Sequence, residues 1–298
     1  MRSGFVAVVG RPNVGKSTLV NAIVGEKVAI TSSRPQTTRS TIRGVLTLTS
    51  EDPQSQIVLM DTPGLHKPST ALGERLNSLV HVSLAESDMI LHILDATQPI
   101  GPGDRLVAER AGAAGVPVIV VVNKIDLATR GQITEMLAEA SEWTASEFLP
   151  LSAVTGEGVG ECVEAMVTRL PAGPQYFPSD MVSDQPDQFL VREIIREKYL
   201  DRLRDELPHS LTVSVLEMEQ REDGLLTIEA RLIVERESQK GIVIGKGGSL
   251  IKKCGAEARK ELEKRFGTKV YLRLQAKVEK DWQDTPLLLD RLGFNPNQ

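Results

Sequence analysis

Apolar and polar positions change their period several times along the chain. Residues 5–9 form a short unbroken apolar, β-branched run that predicts a buried strand, and residues 18–24 carry apolar positions at helical spacing. Residues 42–49 alternate apolar with polar, as a half-buried strand does, whereas 57–60, 89–95 and 116–122 are continuous apolar runs that predict strands covered on both faces. Helices are predicted over 72–82, 104–111, 133–140 and 159–170, with a strand over 147–151 between the last two. Strands alternating with helices imply an α/β fold with a parallel, doubly wound sheet, which binds its ligands at the C-terminal ends of the strands.

After residue 172 the pattern differs. Pro171, Gly173, Pro174, Pro178 and Pro186 mark a linker over 173–188. Beyond it lie a long amphipathic helix over 189–207, two strands over 211–219 and 225–235 joined through an Asp223-Gly224 turn, a basic helix over 251–266 and a strand over 270–278. Gly245-Lys246-Gly247-Gly248 falls between the two middle helices. The order α-β-β-α-α-β with GxxG in that place is the type II KH arrangement, a smaller α+β domain whose glycine loop lets a nucleic-acid backbone approach closely. The expected division is the α/β domain over 1–172, the linker, a KH domain over 189–281 and a C-terminal tail over 282–298.

At 298 residues, 41% hydrophobic and 25% charged, the chain can bury a core in each of two domains. Its formal charge of −5 is unevenly spread: twelve Lys/Arg against four Glu give residues 240–280 a local +8, leaving −13 elsewhere. The company of a GxxG turns that basic segment toward RNA. Cys162 and Cys254 have no CxxC or His neighbour, so they read as thiols of a reducing cytoplasm and indicate neither disulfide nor zinc. Residues 1–4 lead straight into the first strand without a signal peptide, and no apolar run approaches the ~20 residues of a bilayer span. A cytoplasmic protein is expected, with peripheral membrane contact left open.

The chemistry gathers at strand ends. GRPNVGKS over 10–17 joins the first strand to the first helix as a phosphate loop should. Its glycines let backbone N–H groups surround a phosphate, Lys16 adds a point charge, and Ser17 offers an oxygen to Mg²⁺. The Thr-rich stretch 29–41 reads as a flexible loop that could bring a Thr hydroxyl to the metal while the γ-phosphate is present. Asp61-Thr62-Pro63-Gly64 ends a strand, with Asp61 placed to hold Mg²⁺ through water and the Gly64 amide to bond the γ-phosphate. Asn123-Lys124-Ile125-Asp126 ends another strand. Asp126 can accept from guanine N1–H and N2–H₂, a donor pair that adenine lacks, and Asn123 can bond the opposite edge. A Ser152-Ala153 turn can give a backbone N–H to guanine O6.

Together GRPNVGKST, the Gln-Thr-Thr-Arg loop, DTPGLH, NKID, the SA-x-x-G-x-G turn and IGKGG resemble the bacterial Era GTPases over essentially the whole chain. The resemblance implies GTP hydrolysis, Mg²⁺ as cofactor, and binding of the 3′ end of 16S ribosomal RNA in 30S subunit assembly. It also implies peripheral contact with the cytoplasmic membrane, by a protein expected to be a monomer. Carried over, it puts phosphates on Asn13, Val14, Gly15, Lys16, Ser17 and Thr18, and the base on Asn123, Lys124, Asp126, Ser152 and Ala153. RNA would follow Ile244, Gly245, Lys246, Gly247, Gly248, Lys252 and Lys253. Switch-loop Mg²⁺ coordination falls to Thr38 or Thr37, with Thr38 preferred. Lys16, Thr38, Gly64 and Asn13 form the expected catalytic set. The residue after Gly64 is Leu65, which cannot orient a water as a Gln does. Asn13 resembles a K⁺ ligand of related GTPases, where that ion supplies the charge of an arginine finger. Two other readings are weighed: a P-loop kinase or ATPase, which NKID opposes, and a membrane-recruited signalling GTPase whose basic segment meets anionic lipid.

Overall fold

The opening apolar run is strand β1 (Arg2–Val9) of a computed structural model that describes residues 1–34, 36–49, 54–65 and 68–294. There follow α1 (Lys16–Val24), β2 (Ile42–Leu48), β3 (Ser55–Asp61), α2 (Ala71–Ala85), β4 (Met89–Asp95), α3 (Pro102–Gly112), β5 (Val118–Asn123), α4 (Arg130–Ala140), β6 (Glu147–Pro150) and α5 (Val159–Arg169). Pro35 of the switch loop, His66 of DTPGLH and residues 295–298 of the expected tail lie outside the described residues.

One six-stranded sheet has the order β2-β3-β1-β4-β5-β6. All pairs are parallel except β2 with β3, because their short connection cannot hold the dozen or so residues of a parallel crossover. Every residue of β3, β4 and β5 is buried, which explains why they read as continuous apolar runs. On β1, Val6 and Val8 join a core with α1 and α5, while Ala7 and Val9 face a second core with residues of α2, α3 and α4. Burying each of these valines contributes about 1.5–3 kcal/mol. The sheet thereby places the C-terminal ends of β1, β3 and β5, where the motifs stand, along one edge.

The segment read as a linker is in part a strap. Buried Gln56 accepts the N–H groups of Tyr176 and Phe177 at 2.8 and 3.0 Å and donates to Phe177 O at 2.8 Å. Ser3 Oγ donates to Pro174 O at 2.6 Å, Val45 N donates to Val182 O at 2.9 Å, and Arg43 pairs with Asp184 at 2.6 Å. Prolines here reduce the strap's own donors, and the Gln56, Ser3 and Arg43 side chains together with the Val45 N–H supply most of its bonds to the sheet.

By its contacts the chain divides into two compact units, the first of residues 1–31, 35–69 and 73–184, the second of 185–298 with the short pieces 32–34 and 70–72. The second unit has α6 (Asp187–Leu200), α7 (Leu207–Ser210), β7 (Thr212–Gln220), β8 (Leu226–Val234), α8 (Glu237–Ile244), α9 (Ser249–Phe266), β9 (Val270–Val278) and α10 (Pro286–Arg291). Its sheet order is β7-β8-β9, with β7 antiparallel and β9 parallel to β8. Cys254, Ala258 and Leu262, four residues apart on α9, are wholly buried in its core.

Two expectations are corrected here. The helix predicted over 189–207 stops at Leu200, and Asp205 at φ 54° precedes a restart in which Pro208 occupies the first turn, the helical place proline tolerates. The tail is folded: Trp282 is fully buried, its Nε1 donates to Ser210 O at 2.9 Å, and its ring stacks on Phe294. Leu289 and Leu292 are buried as well, and Arg192 donates to Leu292 O at 3.0 Å while lying over the Phe189 ring.

Candidate functional site

Between β1 and α1 the phosphate loop adopts conformations its glycines permit. Gly15 has φ 99°, and a Cβ on it would stand 2.3 Å from Asn123 Nδ2, so no side chain fits. Asn13 takes φ 65°, a region Asn tolerates. Lys124 Nζ donates to Asn13 O at 2.7 Å and Asn123 Nδ2 donates to Val14 O at 2.8 Å. In a trans peptide the N–H points opposite to the C=O, so these ties turn the amides of Val14 and Gly15 the other way, into the loop. The residues expected to choose the base also brace the cradle for the phosphates.

Lys16 is nearly buried, and its Nζ donates to Gly10 O at 3.1 Å and Arg11 O at 2.9 Å. Burial pushes its ammonium down to about 8, with Asp61 pulling it back up. An arriving polyphosphate is a stronger acceptor than a carbonyl and would hold the lysine charged.

Three oxygens converge beside it. Ser17 Oγ is 2.6 Å from Asp61 Oδ2 and 3.0 Å from Thr38 Oγ1, and Thr38 Oγ1 donates to Asp61 Oδ2 at 3.3 Å. It is thus the Thr38 hydroxyl, the preferred of the two adjacent threonines, that reaches this cluster. The Asp61 carboxyl is driven up to about 6 by burial, against the lowering effects of Ser17, Lys16 and Thr38, and its Oδ1 is buried without a hydrogen bond among the described residues. Hard oxygen donors around an undercompensated carboxylate fit Mg²⁺. Behind the cluster Thr62 Oγ1 donates to Val8 O at 2.7 Å, fixing the turn that presents Gly64. A Cβ on Gly64 would lie 2.7 Å from Pro12 N, so only glycine allows the two loops this close. Leu65 is buried in the core with Ala7 and Val9.

On the base side, Ser152 Oγ donates to Asp126 Oδ1 at 2.6 Å, orienting an exposed carboxylate. Asn123 is only 1% exposed, and its Oδ1 accepts the Ala153 N–H at 3.0 Å. Each polar end of Asn123 thus makes one bond within the protein, and its amide NH2 keeps a second hydrogen for the base edge that the sequence suggests. Sequence reasoning also misses Asp95, which closes β4 opposite Asn123 and accepts Lys124 Nζ at 2.6 Å. Burial works against its charge, yet the hydrogen bonds from Lys124 and Thr97 hold the Asp95 carboxyl below its ordinary range. An acidic strand end aligned with NKxD is the available signal.

In the second unit Gly245, Gly247 and Gly248 take φ 75°, 60° and 78° between α8 and α9. A Cβ on Gly245 would meet Leu250 at 2.8 Å, whereas Gly247 faces open space, so the loop's middle is accessible. Beside it lies a groove of about 310 Å³ lined by Ile251, Lys252, Gly255, Ala256, Arg259, Leu272 and Leu274. Lys252 lines it and Lys253 is exposed next to it, while Ile244 ends α8 at the loop. Gly255 and Arg259 escape sequence reasoning, since neither sits in the motif. On the same helix Glu257 pairs with Arg202 at 2.8 Å and Glu261 with Lys198, so its acids are partly neutralised.

A phosphate loop, an oxygen cluster that fits Mg²⁺ and an NKxD carboxylate at the strand ends of this sheet are the features of a P-loop GTPase, here carrying a KH domain. The family described as 50S ribosome-binding GTPase matches residues 5–124, and the KH domain family matches 206–283. GTPase Era of Mycobacterium avium (strain 104) is 50% identical, covering 98% of this chain and 99% of its own. GTPase Era of Mycobacterium tuberculosis H37Rv is also 50% identical, covering 98% of each. Among solved structures, a single-residue variant of Aquifex aeolicus Era bound to GDP·AlF4⁻ superposes with a TM-score of 0.92 at 38% identity, over 99% of both chains. Era in complex with MgGDPNP and nucleotides 1506–1542 of 16S ribosomal RNA gives 0.94, also at 38% identity over 99% of both chains. The chain belongs to the Era GTPase family.

Proposed function

We propose that this GTPase binds the 3′ end of 16S ribosomal RNA in the groove beside residues 245–248 and assists assembly of the 30S subunit in the cytoplasm. The observation that carries the RNA reading is the three positive-φ glycines ahead of α9, with Gly248 next to Ile251 and Lys252 of an apolar groove that Arg259 also lines. Support comes from the Era relative bound to nucleotides 1506–1542 of 16S RNA. Anionic lipid would need charge alone, so the glycine loop favours RNA over a membrane partner. No helix among the described residues is long and apolar enough to cross a membrane.

For hydrolysis, the amides of Val14 and Gly15 and the Lys16 ammonium stabilise charge on the phosphates, the largest contribution available in a water-poor site. Ser17, Thr38 and Asp61 would hold Mg²⁺, which supplies charge neutralisation on the phosphate oxygens. Gly64 gives its amide to the γ-phosphate. Leu65 offers no hydrogen bond, so the attacking water is oriented by backbone groups or by a partner, and Asn13 with K⁺ is the proposed source of the missing charge. Crosslinking the protein to RNA in cells tests the reading: recovery of the 16S 3′ end by wild type, and its loss when Ser17→Ala removes the metal-side hydroxyl, is the expected result. Crosslinks scattered over unrelated RNA would refute it.

A further inference from the structure

Arg11 fills the second position of the phosphate loop, where the motif requires no cation. Its Nε donates a 2.7 Å hydrogen bond to Asp104 Oδ1 in the first turn of α3. Asp104 is fully buried, and its Oδ2 accepts the Gly101 N–H at 2.9 Å. The Arg11 stem crosses Gly103 so closely that a Cβ there would stand 3.0 Å from Arg11 Cδ. Both carboxylate oxygens are thus engaged, and loss of the guanidinium would strand a buried charge.

The backbone of Arg11 meets the reaction machinery on two sides. Its carbonyl accepts Lys16 Nζ at 2.9 Å, and the next residue, Pro12, is the one against which Gly64 packs. Lys124 and Asn123 tie down the carbonyls of Asn13 and Val14; at the other half Lys16 bonds the carbonyls of residues 10 and 11 from inside the loop, and the Arg11 side chain ties the loop outward to α3. A displacement at residues 11–12 would move Lys16 and Gly64 together. We infer that Arg11, anchored on Asp104, is a positioning residue that holds residues 10–13 in their nucleotide-ready shape and thereby governs nucleotide release and the placement of Lys16 and Gly64.

The test uses the full chain with Mg²⁺ and a fluorescent GDP derivative, comparing R11M, R11K, D104N and the R11M/D104N double variant. D104N keeps an oxygen for the Gly101 amide, so the cap of α3 survives. R11M and D104N should each speed GDP release about tenfold, with the double variant no faster than either single one, because the two residues act as one unit. R11K should recover part of the loss, since it keeps the charge without the fork. At saturating GTP, kcat should fall in R11M and D104N, showing that more than binding is lost. Unchanged release and kcat with only a lower Tm would make the pair a helix-capping device and overturn the inference, as would additive effects in the double variant. Should R11M fail to fold, R11K and D104N against wild type still decide it by the same two rates.

Discussion

The Ser17 hydroxyl donates a 2.6 Å hydrogen bond to Asp61 Oδ2, while Asp61 Oδ1 stays buried with no hydrogen bond among the described residues. A serine that follows the phosphate-loop lysine and an aspartate that ends β3 thus share one electrostatic problem, a carboxylate in low dielectric with half its capacity unmet. Metal affinity and folding stability draw on the same group.

Because burial raises the Asp61 carboxyl to about 6, the folded state binds a proton that the unfolded state releases near its ordinary 3.8. Folded protein therefore holds more protons between about pH 4 and 6, and stability falls as pH rises through that window, by about 2–3 kcal/mol. Asp61→Asn should remove this slope, so that metal-free protein at pH 7 resists denaturant better than wild type while losing Mg²⁺-dependent GTP binding. Guanidinium unfolding in chelator at pH 4.5 and 7 measures it; equal slopes for both proteins would exclude Asp61 as the source.

Asp126 is exposed, and its Oδ1 accepts the Ser152 hydroxyl. Asp126→Asn replaces an acceptor with a donor and should turn preference from guanine to xanthine nucleotides, a site built on such bonds discriminating by ~10⁴-fold in favourable cases. Ser152→Ala removes the orienting bond, along with the hydroxyl's 3.2 Å acceptance of the Thr155 N–H, and should weaken GDP binding about tenfold without changing the preferred base. Competition of GDP against XDP reads both, and ATP binding as well as GTP would contradict the assignment.

What is legible in the chain is contiguous. Gly10 to Ser17, the DTPG turn, NKID and GxxG each bring their chemistry within a few residues, and strand ends follow from apolar periodicity. Bonds between distant residues are not legible. Asn123 bonds Val14 with one polar end and Ala153 with the other, and Lys124 bridges Asp95 to Asn13, pairings set by strand order that no local spacing encodes. Composition misleads at 173–188, where prolines suggest a free linker and buried Gln56 shows a docked one. The tail is hidden for a similar reason, since Trp282 and Phe294 find their core only through tertiary packing.

His92 is fully buried in β4, stacked on Trp143 at 5.4 Å, with neither ring nitrogen hydrogen-bonded among the described residues. Burial, aided by Lys16, pushes its pKa down to about 3. The unfolded chain then binds the extra proton between about pH 3 and 6.5, so this residue makes stability rise with pH there, opposite in sign to Asp61. His92→Phe keeps the stack without unpaired polar atoms and should stabilise the protein at pH 7 by about 1–2 kcal/mol. It should also lessen the acid sensitivity; a destabilised variant at pH 7 would point to a hydrogen-bonded role for the imidazole.

A Cβ on Gly247 would meet nothing within 4 Å, and Lys246 is exposed at the turn. Lys246→Asp with Gly247→Asp therefore adds two negative charges to the path of a phosphate backbone at a local cost of about 1–2 kcal/mol for the left-handed conformation. RNA affinity should fall sharply while GTP affinity is unchanged, the substitutions lying in the other unit. Arg259→Gln at the groove should lower the salt dependence of binding by about 0.7 in log–log slope, the contribution of one phosphate contact on a single strand. Retained RNA affinity in the double variant would mean that the basic segment is a solvated face.

Asn13 joins catalysis to the loop's shape. Its φ of 65° and the Lys124 bond to its carbonyl belong to the backbone, so an ordinary Asn13→Ala change would mix strain with loss of the side-chain amide. Asn13→Gly separates them, because glycine adopts this conformation freely and keeps the carbonyl. With Leu65 in the core and no glutamine after Gly64, charge stabilisation has to come from beyond the loop's own amides and Lys16. If Asn13 holds K⁺ there, GTP turnover should be slow and faster in K⁺ than in Na⁺ at equal ionic strength. The difference should vanish in both Asn13→Gly and Asn13→Ala, with GDP affinity kept in the former. Initial rates across the two salts measure this, and turnover indifferent to the monovalent ion in wild type would leave RNA or another partner as the source of activation.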